Sequence, residues 1–342
     1  MFLMSRISII VISLIFLFSF YLNVSIGDAS IQVNEQIFSY FGFDPEIPTV
    51  SKFILEEIRF PRALMALIIG AILATSGTIM QALFRNPLAD PGLIGVSSGG
   101  AVGAILFILF SSTLASNRVE FIQEFGIIIF PMIGSILTTF LVFKLSQYNS
   151  KTNVATMLLT GLAINAIAGT IIGFATYLSN DDQLRNFTFW SLGTLGRSDW
   201  NIIKILLPIF LISMLYKLFL RHELNLMLLG DNEAQNLGMD VEKVRRRLII
   251  VTSSIVGLSV SFCGMIGFIG LVTPHICRLI YGPNHKYLLP LSAIVGGIIL
   301  INADMISRIS IPYSELPIGI VTSLVGAPFF LYLIIKSKKI LF

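Results

Sequence analysis

Apolar runs of about twenty residues recur from one end of this 342-residue chain to the other, and the polar breaks between them are too short for a soluble domain. A helix needs roughly 20 apolar residues to cross the hydrocarbon layer of a bilayer. Runs such as LMALIIGAILA and IIKILLPIFLISMLYKLFL do not alternate in polarity, as the strands of a membrane barrel of about ten residues each do. The backbone groups must then be satisfied inside helices. Only 12% of the residues are charged, against 55% hydrophobic. Soluble domains carry about 25% charge, so a soluble core of ordinary kind is excluded.

The runs predict spans at 6–26, 62–84, 94–114, 125–146, 153–178, 200–220, 248–267, 288–306 and 315–335, with a shorter, broken apolar segment at 270–283. With the N-terminus placed in the cytoplasm, 15 of the 23 Lys and Arg residues fall inside and 8 outside. That is the bias the positive-inside rule requires. Arg6 followed by an apolar run also resembles the start of a signal peptide, but Ile7–Leu22 is longer than a usual signal core and no A-x-A-like site follows cleanly, Val24-Ser25-Ile26-Gly27 being at best a weak one. A retained first helix is the expectation, and no linker or low-complexity segment divides the rest.

Cys263 and Cys277 sit in apolar surroundings without metal-type spacing and read as reduced, structural thiols. His222, His275 and His285 are scattered, and no carboxylate pair suggests acid–base chemistry. No metal site, cofactor, catalytic residue or nucleic-acid partner is expected.

Distinctive blocks lie between and within the spans. Arg59-Phe60-Pro61-Arg62 opens the second span, and Asn86-Pro87-Leu88-Ala89-Asp90-Pro91 closes it. Leu229-Gly230, Glu233-Ala234 and Leu237-Gly238 punctuate the longest loop on the predicted cytoplasmic side. Gly264-Met265-Ile266-Gly267-Phe268-Ile269-Gly270-Leu271-Val272-Thr273-Pro274-His275 and Glu315-Leu316-Pro317-Ile318-Gly319 follow. In this order the blocks resemble the FecCD-type permeases of iron–siderophore, haem and vitamin B12 ABC importers. The resemblance implies one all-α polytopic membrane domain over 1–342, with about ten transmembrane helices in the type II ABC importer permease architecture, segment 270–283 being the eighth. It also implies a second permease subunit, identical or paralogous, an ABC ATPase subunit, a substrate-binding (lipo)protein and a ferric siderophore as cargo. The chain has no G-x-x-x-x-G-K-[ST] phosphate loop, so ATP hydrolysis belongs to another polypeptide.

The loop at about 221–247 reads as two short helices, one capped by Asp231 and ended by Gly238, the other capped by Asp240 and carrying Arg245, Arg246 and Arg247. Taken alone it is equally a charged loop whose arginines anchor topology. The resemblance makes Leu229, Gly230, Glu233, Ala234, Leu237 and Gly238 the ATPase-coupling surface. Arg59, Arg62 and Arg308, otherwise read as interfacial arginines snorkelling to headgroups, become the docking patch for glutamates of the binding protein. Asn165, Thr170 and Thr176, with Thr322 and Ser323, become candidate residues of the translocation path. Polar residues inside a bilayer protein face the bundle interior, and helix-packing hydrogen bonds explain them nearly as well.

Three rival readings remain at this level. Haem or cobalamin are alternative cargoes. An ion-coupled secondary transporter would show a carboxylate within a span, for which Asp304 is the nearest candidate. A membrane-embedded enzyme would need a convergent acid–base or metal cluster. Both termini are expected in the cytoplasm and the protein in the cytoplasmic membrane.

Overall fold

The computed structural model describes residues 6–27, 49–116, 120–149 and 151–341. Ten helices carry the architecture: α1 (Arg6–Ser25), α2 (Phe60–Leu83), α3 (Val96–Ser116), α4 (Glu120–Leu145), α5 (Val154–Leu178), α6 (Trp200–Phe219), α7 (Val241–Cys263), α8 (Ile269–Tyr281), α9 (His285–Ile309) and α10 (Ile318–Leu341). Among the described residues, six helical segments are long and apolar enough to cross a membrane, and four shorter apolar helices accompany them. The all-α polytopic expectation holds. The one paired ladder among these residues is a hairpin of two-residue strands, β1 (Gln147–Tyr148) and β2 (Lys151–Thr152), between α4 and α5. Most of the stretch 27–61, which separates the first two predicted spans, lies outside the described residues.

The structure corrects the expected elements in three places. The seventh span begins at Val241 rather than 248 and ends at Cys263. Its charged first turns remain helical because Val241, Val244, Leu248 and Ile249 bury one face against the body. The expected second loop helix is therefore the start of α7, with Asp240 as its N-cap, accepting from the Lys243 amide. The two short helices of the loop are instead Arg221–Met227 and Asp231–Asn236. Asp231 is not a cap, since Gly230 occupies that position and the Asp231 carboxylate pairs with Arg245. A third helix, Asp181–Ser191, was not anticipated from hydropathy because it is polar. Asn180 and Gln183 open it with a reciprocal capping box.

Helix α2 is the axis of the bundle, buried along nearly its whole length. A short helix, Thr49–Phe53, leads through a π-helical segment, Ile54–Arg59, into it. Pro61 lacks the amide that would bond back across this junction, and the wider π turn absorbs the loss. Two glycines let other helices come against α2 at backbone distance. A β-carbon at Gly70 would lie 2.3 Å from the Gly296 carbonyl oxygen of α9, and one at Gly77 would lie 1.7 Å from the Gly270 carbonyl of α8. Association in lipid depends on such contact, because tails are as apolar as the side chains they replace. Gly70, Ala74 and Gly77, small residues spaced along one face of α2, thus form a packing seam. A second small-residue ridge, Gly169 and Gly173 on α5, has no other element among the described residues within 4 Å of where a β-carbon would stand.

The two ridges make opposite predictions. Gly77→Val should destabilise the detergent-solubilised protein by about 3 kcal/mol or prevent its insertion, as overpacking against backbone does. Gly173→Ala should leave its thermal midpoint unchanged. Equal midpoints for both variants would remove the packing account.

Candidate functional site

Two clusters of charge lie at opposite ends of α2. At the Pro61 end, Arg62 donates from Nε to Asp304 Oδ1 at 2.9 Å, and from Nη1 and Nη2 to the two oxygens of Glu315 at 2.7 and 2.9 Å. Asp304 lies on α9 and is fully buried; its other oxygen meets Arg308 Nε at 3.2 Å and accepts from Asn23 Nδ2 at 3.1 Å. A carboxylate in an apolar interior persists as a charge only with such partners. Its position four residues before Arg308 puts both on one helix face.

The same end closes α1. The last carbonyls of a helix have no partner within it. Arg59 Nη1 donates to the carbonyls of Val24 and Ser25 at 2.9 and 2.8 Å, while Arg308 donates to those of Asn23 and Ile26 at 2.8 and 2.9 Å. Two guanidinium groups from other elements thus cap the C-terminus of α1, where positive charge is favoured. The three arginines expected as a docking patch are brought together, but all three are buried and turned inward. Glu315, whose side chain is 45% exposed, is the solvent-facing member of the cluster.

A polar cavity of about 250 Å³ opens beside Arg62 and Glu315, lined also by Trp190, Thr194, Arg197 and Gly264. Its wall is the break between α7 and α8. Gly264 has φ +71°, and a β-carbon there would lie 2.1 Å from the Trp190 carbonyl. Gly193 accepts from the Ile318 amide, so the start of α10 hangs on the same wall.

At the opposite end, the helix Asp231–Asn236 forms a knob. It closes with a Schellman motif: the Met239 amide donates to the Ala234 carbonyl and the Gly238 amide to that of Gln235, with Gly238 at φ +86°. Ala234 is buried beneath the knob, whereas Leu229, Glu233 and Leu237 are exposed. Arg85, just beyond α2, approaches Asp231 at 3.8 Å. Asn225 of the preceding short helix accepts from the His285 amide at 2.9 Å and pins it to the start of α9.

The expected path residues divide. Asn165 accepts from Ser98 Oγ at 2.6 Å and donates to the Gly92 carbonyl at 3.3 Å, tying α5 to the turn before α3. Thr170 and Thr176 donate to carbonyls of their own helix, Ala166 and Gly173. Thr322, buried, does the same to Gly319 and lines an apolar cavity of about 270 Å³ with Phe268 and Gly326. Ser323 is half-buried beside it. Lys217, near the end of α6, is buried and donates to Thr75 and Ser76 of α2 at 3.0 and 3.2 Å.

Removing the Asp304 charge takes from two buried guanidinium groups the one buried carboxylate they share, so Asp304→Asn should cost about 3 kcal/mol of stability in detergent. Glu315→Gln should cost no more than about 1 kcal/mol, because water already screens that carboxylate. Thermal melts of the two variants check this order, and a larger loss for Glu315→Gln would refute it.

The FecCD transport family model matches residues 15–336. The chain is 41% identical over 283 residues to the hemin transport system permease protein HmuU of Yersinia pestis, covering 83% of each chain. It is 39% identical to the cobalamin import system permease protein BtuC of Halobacterium salinarum, over 84% of this chain and 75% of that one. A solved structure described as an inward-facing conformation of a metal-chelate type ABC transporter superposes with a TM-score of 0.80 at 30% identity, covering 96% of this chain and 98% of the other. The chain belongs to the FecCD transport family, the polytopic membrane permeases of ABC importers.

Proposed function

We propose that this permease moves a ferric siderophore, delivered by an external binding (lipo)protein, and that a separate ATPase subunit drives it through the knob at 231–236. The observation that carries the reading is the knob itself. A short helix closed at both ends by glycine presents exposed Leu229, Glu233 and Leu237 beside a buried charge cluster. Exposed leucines on an otherwise polar loop suit a partner surface. A compact helical body can also pass rigid motion to the helices at its ends. In this reading both termini and the knob lie in the cytoplasm, and the Arg59, Arg62 and Arg308 cluster faces the binding protein. A docking carboxylate reaches Arg62 by displacing Glu315. This permease subunit does no covalent chemistry.

A second permease copy is supported by the free face of α5. Leu159, Leu162, Ile167 and Phe174 are exposed, and no other element among the described residues comes within 4 Å of a β-carbon placed at Gly169 or Gly173. Asn165, Thr170 and Thr176, with Thr322 and Ser323, would line the path near that face. Haem or cobalamin is the second reading of the cargo, favoured by the hemin and cobalamin permeases among the relatives. An ion-coupled mechanism has less support, since Asp304 is held between two arginines.

Purification in mild detergent should recover a stoichiometric ATPase. Its partner binding protein should bind a ferric siderophore in preference to haem and cobalamin. A preference for either of those selects the second reading, and a chain that transports alone on an ion gradient overturns both. Glu233→Lys should leave the chain inserted and abolish uptake while ATP hydrolysis continues. Gly238→Val should do the same, because its left-handed backbone strains a β-branched residue by about 1–2 kcal/mol. Uptake at the native rate by both variants would remove the knob's assignment.

A further inference from the structure

Of the three consecutive arginines at 245–247, Arg246 and Arg247 are exposed and Arg245 is 1% exposed. Its guanidinium meets three separate elements. Nη2 donates to Asp231 Oδ2 of the knob at 2.7 Å. Nη1 donates to Glu242 Oε1 in the first turn of α7 at 2.5 Å, and to the Thr152 carbonyl at 3.2 Å. The other oxygen of Glu242 accepts from the Thr152 amide at 3.1 Å. The peptide groups of Thr152 are therefore gripped on both sides by α7, while the same guanidinium holds the knob. Thr152 directly precedes Asn153, the N-cap of α5, whose side chain accepts from the Thr156 amide.

We propose that Arg245 is a positioning residue that locks the knob to the start of α5, so that displacement of the knob moves this helix directly across space. The transmission part of this proposal rests on the coupling reading above. Chain connectivity alone joins the knob to α6 and α7, and the first turn of α5 lies nearly eighty residues before the knob in sequence. The clamp supplies the missing link. Arginine suits it because a planar fork can satisfy two carboxylates and a carbonyl at fixed angles, which a lysine ammonium cannot. Asp231 and Glu242 are partly exposed whereas Arg245 is not. The joint is thus a buried cation held by anions at the surface, and it cannot slip without leaving that cation unpaired. Helix α5 carries Asn165, Thr170 and Thr176 and presents its free face away from this chain's body. Motion at its first turn would reach that face as a rigid tilt.

Spin labels at Tyr148→Cys on the hairpin and Gln235→Cys on the knob, both exposed positions, read the clamp by electron–electron distance. The labels should give one narrow distance that is the same with and without a non-hydrolysable ATP analogue in the permease–ATPase complex. Arg245→Met should broaden it, Arg245→Lys should broaden it less, and Arg246→Met should leave it unchanged. In reconstituted complexes that still bind and hydrolyse ATP, Arg245→Met should lower uptake per ATP about tenfold, within the range of coupling between sites. Glu242→Gln, which keeps the Asp231 pair, gives the same test if Arg245→Met fails to assemble. A distance that changes with nucleotide in the native sequence overturns the proposal. So does native uptake per ATP in Arg245→Met when Glu233→Lys is uncoupled, and that result spares the coupling reading. An ATPase that does not bind the native chain overturns the coupling reading itself, and the transmission with it.

Discussion

Backbone contact along α2 organises this protein. In a bilayer, apolar side chains gain nothing by leaving lipid for one another, so helices hold together through close surfaces and satisfied polar groups. Gly70 and Gly77 bring α9 and α8 onto α2 at distances no β-carbon permits. Gln81, one turn further, donates to the Leu271 carbonyl and accepts from Arg278, fixing α8 along the same seam. The axis then delivers Arg62 to one charge cluster and, just past its last turn, Arg85 to the other. Both ends of the molecule are positioned by one helix.

The charges that enter the apolar body follow a single rule. Each buried cation described above is met by a carboxylate, by orphan helix carbonyls or by hydroxyls. Arg62 and Arg308 share Asp304, Arg59 and Arg308 close α1, Arg245 holds two carboxylates, and Lys217 reaches two hydroxyls of α2. Such pairs contribute little net stability over an apolar replacement, yet breaking one is costly. They therefore act as registers: they specify which helix end meets which. Glu315 is the member of the Arg62 cluster with solvent access, so the segment leading into α10 is the part of that end that water reaches.

Much of this was legible in the sequence. Helices α1 to α6 and α8 begin and end within a few residues of the apolar runs, because length and hydropathy are what a bilayer selects. The Gly70, Ala74 and Gly77 seam and the Gly238 helix end follow from spacing and chirality. What stayed hidden shares one cause, the pairing of residues distant in sequence. The start of α7 was obscured because Arg245 reads as a surface charge until Asp231 and Glu242 are seen around it. Arg59, Arg62 and Arg308 read as an exposed patch, since nothing local reveals that they cap α1 and enclose Asp304. The Asp304–Arg308 spacing was the one signal available, an i, i+4 pair on an otherwise apolar helix. The helix at 181–191 was missed through its polarity, although Asn180-Asp181-Asp182-Gln183 carries the N-x-x-Q capping pattern.

The account assigns opposite sides of the membrane to the two charge clusters: cargo arrives at the Arg62 end and the ATPase meets the Asp231 end. Thiol labelling with a membrane-impermeant maleimide tests this most directly, with low background because Cys263 and Cys277 are buried. Tyr313, fully exposed beside the Arg62 cluster, and Leu237, exposed on the knob, are the positions to use. The account predicts that Tyr313→Cys reacts in intact cells and that Leu237→Cys reacts only after permeabilisation. The reverse pattern, or labelling of both from outside, would contradict it.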